Sequence, residues 1–121
     1  CDVTGIRLSL PDHMFSQYDP FYLDVTVCNA SEYMLDYHHV FILLEIFGDY
    51  YCLPDWVNIS TGISSYHQSI PPGSRQFMAI QSFGWPAMET GADGIAFWGA
   101  ITNPDMTQLI GDYNYVTFGW E

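Results

Sequence analysis

Lysine is absent from this chain, and arginine occurs only as Arg7 and Arg75. Against these two cations stand 14 acidic residues, for a formal charge of −12. Binding of a phosphate backbone needs clustered Lys and Arg, so nucleic-acid recognition is excluded. Adsorption to anionic lipid is disfavoured for the same reason. No run of about 20 apolar residues occurs, so no membrane-inserting helix is expected. The longest apolar run, Val40 to Leu44, has the length of a strand. Helical periodicity is missing too, apart from a single turn expected over residues 31–36. Also missing are a D-x-D-x-D-G calcium loop and a G-x-S-x-G nucleophile context.

What is present points to a folded β domain. Apolar residues make up 49% and aromatics 17% of the 121 residues, which excludes disorder. That length suits one domain, residues 1–121. Ile6, Leu8 and Leu10 alternate with polar residues, and so do Phe21, Leu23, Val25 and Val27. A period of two marks a strand with one wet face. Residues 40–47 are apolar on both faces except at Glu45 and read as a central strand. Residues 77–83, 94–101 and 113–120 supply three more, and 50–52 continue the central strand past a bend at Gly48-Asp49. Pro11-Asp12, Asp19-Pro20, Pro71-Pro72-Gly73, Gly91, Asn103-Pro104 and Gly111-Asp112 punctuate these runs as turns. The expected fold is an all-β, antiparallel sandwich of about seven strands.

Three cysteines refine this picture. An antiparallel hairpin of the first two strands, closed around residues 13–19, sets Cys1 opposite Cys28 within disulfide reach. A hairpin of the second and third strands leaves Cys28 and Cys52 out of register. The expected bridge is Cys1–Cys28, with Cys52 a buried free thiol. A bridge of this kind belongs to an oxidising compartment. An N-terminal cysteine also fits the lipid-bearing residue of a bacterial lipoprotein, and the expected bridge argues against that reading.

Leu8-x-Leu10-Pro11, Phe15-x-x-x-Asp19-Pro20-Phe21-Tyr22-Leu23 and Val27-Cys28-Asn29 together resemble the first hairpin of bacterial immunoglobulin-like modules. Phe41-Ile42-Leu43-Leu44-Glu45-Ile46-Phe47-Gly48, Pro54-x-Trp56, Phe83-x-Trp85-Pro86 and Phe97-Trp98-Gly99-Ala100, followed by Gly111-Asp112 and Phe118-Gly119, extend the resemblance over nearly the whole chain. Such modules occur as repeats or C-terminal domains of large secreted proteins. The chain departs from them at Ser16-Gln17-Tyr18, where they place a glycine just before Asp19. The resemblance implies an immunoglobulin-like fold and an extracellular or cell-surface location.

Candidate chemistry is sparse. His38-His39 are adjacent in a strand and point to opposite faces, so they do not chelate one ion together. Asp36 with His38 gives two ligands, short of a zinc set. Asp19, Asp49, Asp93, Asp105 and Asp112 lie at turns, where Asp bonds its own backbone. Cys52 and His67 form a nucleophile–base pair only if the fold brings them together. No catalytic residue, metal ligand or cofactor is expected. Asn29-Ala-Ser and Asn58-Ile-Ser match the N-glycosylation triplet. Aromatics are the strongest lead. Tyr50, Tyr51, Trp56, Tyr66, Trp85, Trp98, Tyr113, Tyr115 and Trp120 exceed the needs of one core, to which Phe97, Trp98, Phe118 and Trp120 are assigned. Trp56 and Tyr66, in or beside a long loop over residues 57–75, and Trp85, in a turn, are the expected ligand contacts.

The resulting expectation is a non-catalytic structural or interaction module. Its partners are other protein chains, neighbouring domains of the same protein, or further copies of itself. A carbohydrate-binding module using exposed rings is the first alternative, and a calcium-stabilised adhesin domain is the second.

Overall fold

The computed structural model describes residues 1–121. Ten strands and no helix make up the chain: β1 Gly5–Ser9, β2 Met14–Phe15, β3 Pro20–Asn29, β4 Leu35–Ile46, β5 Asp49–Cys52, β6 Val57–Asn58, β7 Tyr66–Ile70, β8 Gly73–Gly84, β9 Ala92–Thr102 and β10 Asn114–Trp120. They form two sheets. The smaller has the order β1-β3-β8. The larger has the order β2-β10-β9-β4-β5-β6, with β7 also paired to β4.

Period-two alternation decides which side chains enter the core. Phe21, Leu23, Val25 and Val27 of β3 are buried, as are Val40 and Ile42 of β4 and Ile95, Phe97 and Ile101 of β9. These join Ile6, Leu8, Phe15, Leu53, Ile70, Phe118 and Trp120 in one hydrophobic cluster lying between the sheets. One end of that cluster is aromatic. Phe15 sits 4.8 Å from Phe21, 5.5 Å from Trp85 and 6.2 Å from Phe118.

The Cys1–Cys28 disulfide is present, with Cα atoms 5.9 Å apart, and Cys52 is a buried free thiol. The register differs from the expected one. Ile6 pairs with Val27 and Leu8 with Val25, so Gly5, not Cys1, lies opposite Cys28. Residues 10–19 do not simply close a hairpin. Within them β2 crosses to the other sheet and pairs in parallel with β10. Cys1 reaches its partner from the segment before β1.

Three further expectations are corrected. Residues 50–52 do not continue the central strand: β5 returns antiparallel along β4 after a two-residue loop. Both loop residues, Phe47 (φ 50°) and Gly48 (φ 84°), are left-handed, as a tight hairpin turn requires. Residues 31–36 form no helical turn, because Asn29 Oδ1 accepts hydrogen bonds from the backbone and hydroxyl of Ser31 and β4 already begins at Leu35. Most of the expected loop over residues 57–75 is ordered by β6, β7 and the start of β8. Strands β2, β6 and β7 escape periodicity because two or five residues are too few to carry a readable alternation.

Tyr18 takes a left-handed φ of 76° immediately before Asp19, at the position where the resembling modules carry glycine. Its amide donates to the Trp85 carbonyl, and the Trp85 amide donates to the Asp19 carbonyl, both at 2.8 Å. Asp19 Oδ2 accepts from the Ser16 amide at 2.8 Å, the self-bonding expected of a turn aspartate.

Candidate binding surfaces

The outer face of the larger sheet is not polar. Phe41 and Leu43 of β4, Trp98 and Ala100 of β9, and Tyr50 of β5 are only part-buried there, beside exposed Tyr113 and Leu109. Together they line an almost wholly apolar groove of about 350 Å³. Cross-strand pairing assembles it. Leu43 lies opposite Trp98 and Phe41 opposite Ala100, and paired residues share a face. Trp98 stands between two tyrosines, 4.7 Å from Tyr115 and 6.3 Å from Tyr113, with interplanar angles of 27° and 29°. Its indole N–H donates to Glu45 Oε1 at 2.9 Å. Trp98 is therefore a part-buried wall of the groove and not a core residue, unlike Phe97, Phe118 and Trp120, which are buried as expected.

A second groove, of about 280 Å³, opens between β7 and β8. Tyr66 lines it with Gln68, Arg75, Gln76 and Phe77. The Tyr66 ring lies 5.0 Å from Phe77. Burial raises the Tyr66 hydroxyl above the ordinary tyrosine pKa, and the nearby Asp55 carboxylate adds to the rise, because both disfavour a phenolate.

Neither groove is lined by all three expected ligand contacts. Tyr66 is in this second groove. Trp56 is 47% exposed in the β5–β6 connection, with a left-handed φ of 59°. Trp85 packs on the aromatic end of the core against Phe15, Phe21, Phe83, Phe118 and Trp120. Its indole N–H is buried without a partner. What sequence reasoning missed is the Phe41–Leu43–Trp98 face. The available signal is the apolar character of both faces of β4, which suits an apolar outer groove as well as double burial.

No three His, Cys, Asp or Glu side chains come together as a metal cluster. Cys52 pairs with Leu43 and His67 with His39, four positions apart on β4. That is roughly 13 Å at strand rise, too far for a nucleophile and its base. One serine does meet a histidine. Ser65 Oγ lies 2.8 Å from His39 Nδ1, and His39 Nε2 lies 3.1 Å from the Pro104 carbonyl. A carbonyl only accepts, so Nε2 carries the proton, and in the neutral ring Nδ1 accepts from the hydroxyl. The imidazole is also stacked, 4.2 Å from His67 and 5.8 Å from Phe41. With both nitrogens bonded and the ring stacked on its neighbours, His39 acts as a clamp. It ties the approach to β7 to the loop after β9.

The two glycosylation triplets differ in access. Asn29 is 1% exposed, and its Nδ2 donates to the carbonyls of Tyr33 at 2.7 Å and Ile70 at 2.9 Å. The acceptor nitrogen is thus occupied in the folded chain. Asn58 is part-exposed in β6, with Oδ1 accepting from the Ser60 amide.

No helix is long and apolar enough to cross a membrane. No family model matches the chain, and no curated protein matches it.

Proposed function

We propose that this chain is a non-catalytic extracellular interaction module on an immunoglobulin-like sandwich, which docks an apolar side chain of a partner protein or neighbouring domain. The observation that carries this reading is the groove between Phe41, Leu43, Tyr50, Trp98 and Tyr113. A contiguous apolar recess on the surface of a chain of net charge −12 marks a contact site. Its size suits one aromatic or aliphatic anchor, the kind of residue on which protein interfaces depend. The groove is short of hydrogen-bonding groups, which suits a protein anchor better than a sugar bearing hydroxyls. The Cys1–Cys28 disulfide supports an oxidising compartment.

N-acetyltryptophanamide, titrated into labelled protein and followed by NMR, tests the groove. The expected result is shifts at Leu43, Trp98 and Leu109 that disappear in Ala100→Phe, where the added ring fills the recess. An absence of shifts at millimolar probe removes this reading.

The carbohydrate alternative finds its support in the second groove, where the Tyr66 and Phe77 rings stand beside Gln68, Gln76 and Arg75. Rings and amides together suit a sugar's face and hydroxyls. A glycan array read with wild type and Tyr66→Ala decides this: binding that Tyr66→Ala abolishes supports it, and no binding ends it.

A further inference from the structure

The acidic residues are not spread evenly along the chain. No Asp or Glu occurs in residues 56–88, between Asp55 and Glu89, and Arg75 lies inside that stretch. Strand β8 runs through it. Four strands have ten or more residues, and β8 alone of them carries no carboxylate: β3 has Asp24, β4 has Asp36 and Glu45, and β9 has Asp93.

Strand β8 is also an open edge. It pairs with β3 on one side and with nothing on the other. The other edges are short or closed. The larger sheet ends in β2 and β6, of two residues each, and β7 has five. The outer side of β1 is capped, with the Ile6 amide donating to the Asp112 carbonyl at 3.0 Å and the Leu8 amide to Asn114 Oδ1 at 2.9 Å. Within β8 the register is regular from Gly73 to Met78 and is then interrupted by bulges. Bulges blunt an edge, so the half that can accept a strand is Gly73–Met78. Ser74, Arg75, Gln76 and Met78 are exposed there, with no lysine or proline to guard them.

We infer that Gly73–Met78 of β8 is a pairing edge for the same segment of a second copy of this chain, antiparallel across a two-fold axis. The occupant follows from charge. Two chains of −12 repel, and like charges facing across strands are destabilising. Opposing β8 to itself is the one long-strand pairing that brings no carboxylate from either edge strand to the seam. A two-fold pairing also closes after two copies. This extends the interaction-module reading to a second surface, distinct from the groove at Trp98.

Sedimentation equilibrium from micromolar to millimolar protein, at 0.15 M and 0.5 M NaCl, tests it, with amide hydrogen exchange on the same samples. The expected result is a monomer–dimer equilibrium whose dissociation constant falls roughly threefold or more at the higher salt, as screening relieves net repulsion. Amides within Ser74–Met78 gain protection as dimer forms. Gln76→Lys lowers the net charge but sets like charges across the seam, and is expected to raise the constant roughly fivefold. A monomer at millimolar concentration in both salts overturns the inference. So does a dimer whose Ser74–Met78 amides stay unprotected, or a Gln76→Lys chain that associates more tightly. Ala100→Phe is expected to leave the dimer intact; if it dissolves the dimer, the seam is at the groove, and the edge inference fails while the interaction-module reading stands. An intact dimer in a protein whose groove binds no probe sinks the groove alone.

Discussion

Trp98 donates its indole N–H to Glu45 across two paired strands of the larger sheet, at 2.9 Å. That bond holds the wall of the apolar groove upright between Tyr113 and Tyr115. Glu45→Ala removes the acceptor and frees the ring. Its cost is expected to be about 1 kcal/mol, small because the pair is part-exposed. Trp98 emission is expected to shift to longer wavelength, with affinity for an apolar probe falling alongside. Denaturation and fluorescence of the variant check both.

Tyr18 is 81% exposed and left-handed, so its side chain contributes no packing and its backbone is strained. Tyr18→Gly relieves the strain, partly offset by the greater freedom of glycine in the unfolded chain. A net gain of about 0.5–1 kcal/mol is expected, read as a higher melting temperature.

Asn29 joins the end of β3 to the turn before β4 and to the end of β7 through one amide group. Asn29→Asp replaces that donor with an acceptor facing two carbonyls, and a loss of about 3 kcal/mol is expected from a buried polar group left unpaired. Expression in a glycosylating host is expected to leave Asn29 of the folded protein unmodified. Urea denaturation and mass mapping are the measurements.

Tyr66 has a raised pKa in the folded chain, so its neutral form is the one the fold favours. Below about pH 10 the residue is protonated in both states and adds no pH dependence. As pH rises above that value the unfolded chain ionises first, and stability falls until the folded-state pKa is passed. Tyr66→Phe is expected to flatten this alkaline loss. Melting temperatures across pH 9–11, with phenolate absorbance for the titration itself, test the sign.

Most of the core was legible from residue order alone. Alternation in Ile6–Leu10 and Phe21–Val27 exposes a wet and a dry face because successive strand side chains point in opposite directions. The cysteine pairing was also legible, although a simple hairpin sets Cys28 opposite Cys1 and the sheet sets it opposite Gly5. Register depends on the path of residues 10–19, and their detour through β2 leaves no periodic trace.

Composition and order by themselves determined that this is a β protein of strongly negative charge, stapled near its amino end, with one core and no basic surface. Those properties are sums or local patterns, and a chain carries them wherever it folds. Which rings meet was decided only in three dimensions. Trp98 reads like Phe97 along the chain, yet one walls an outer groove and the other is core, because the strand turns neighbours to opposite faces. The open acid-free edge at β8 likewise exists only once β3 has taken one side of that strand and nothing has taken the other.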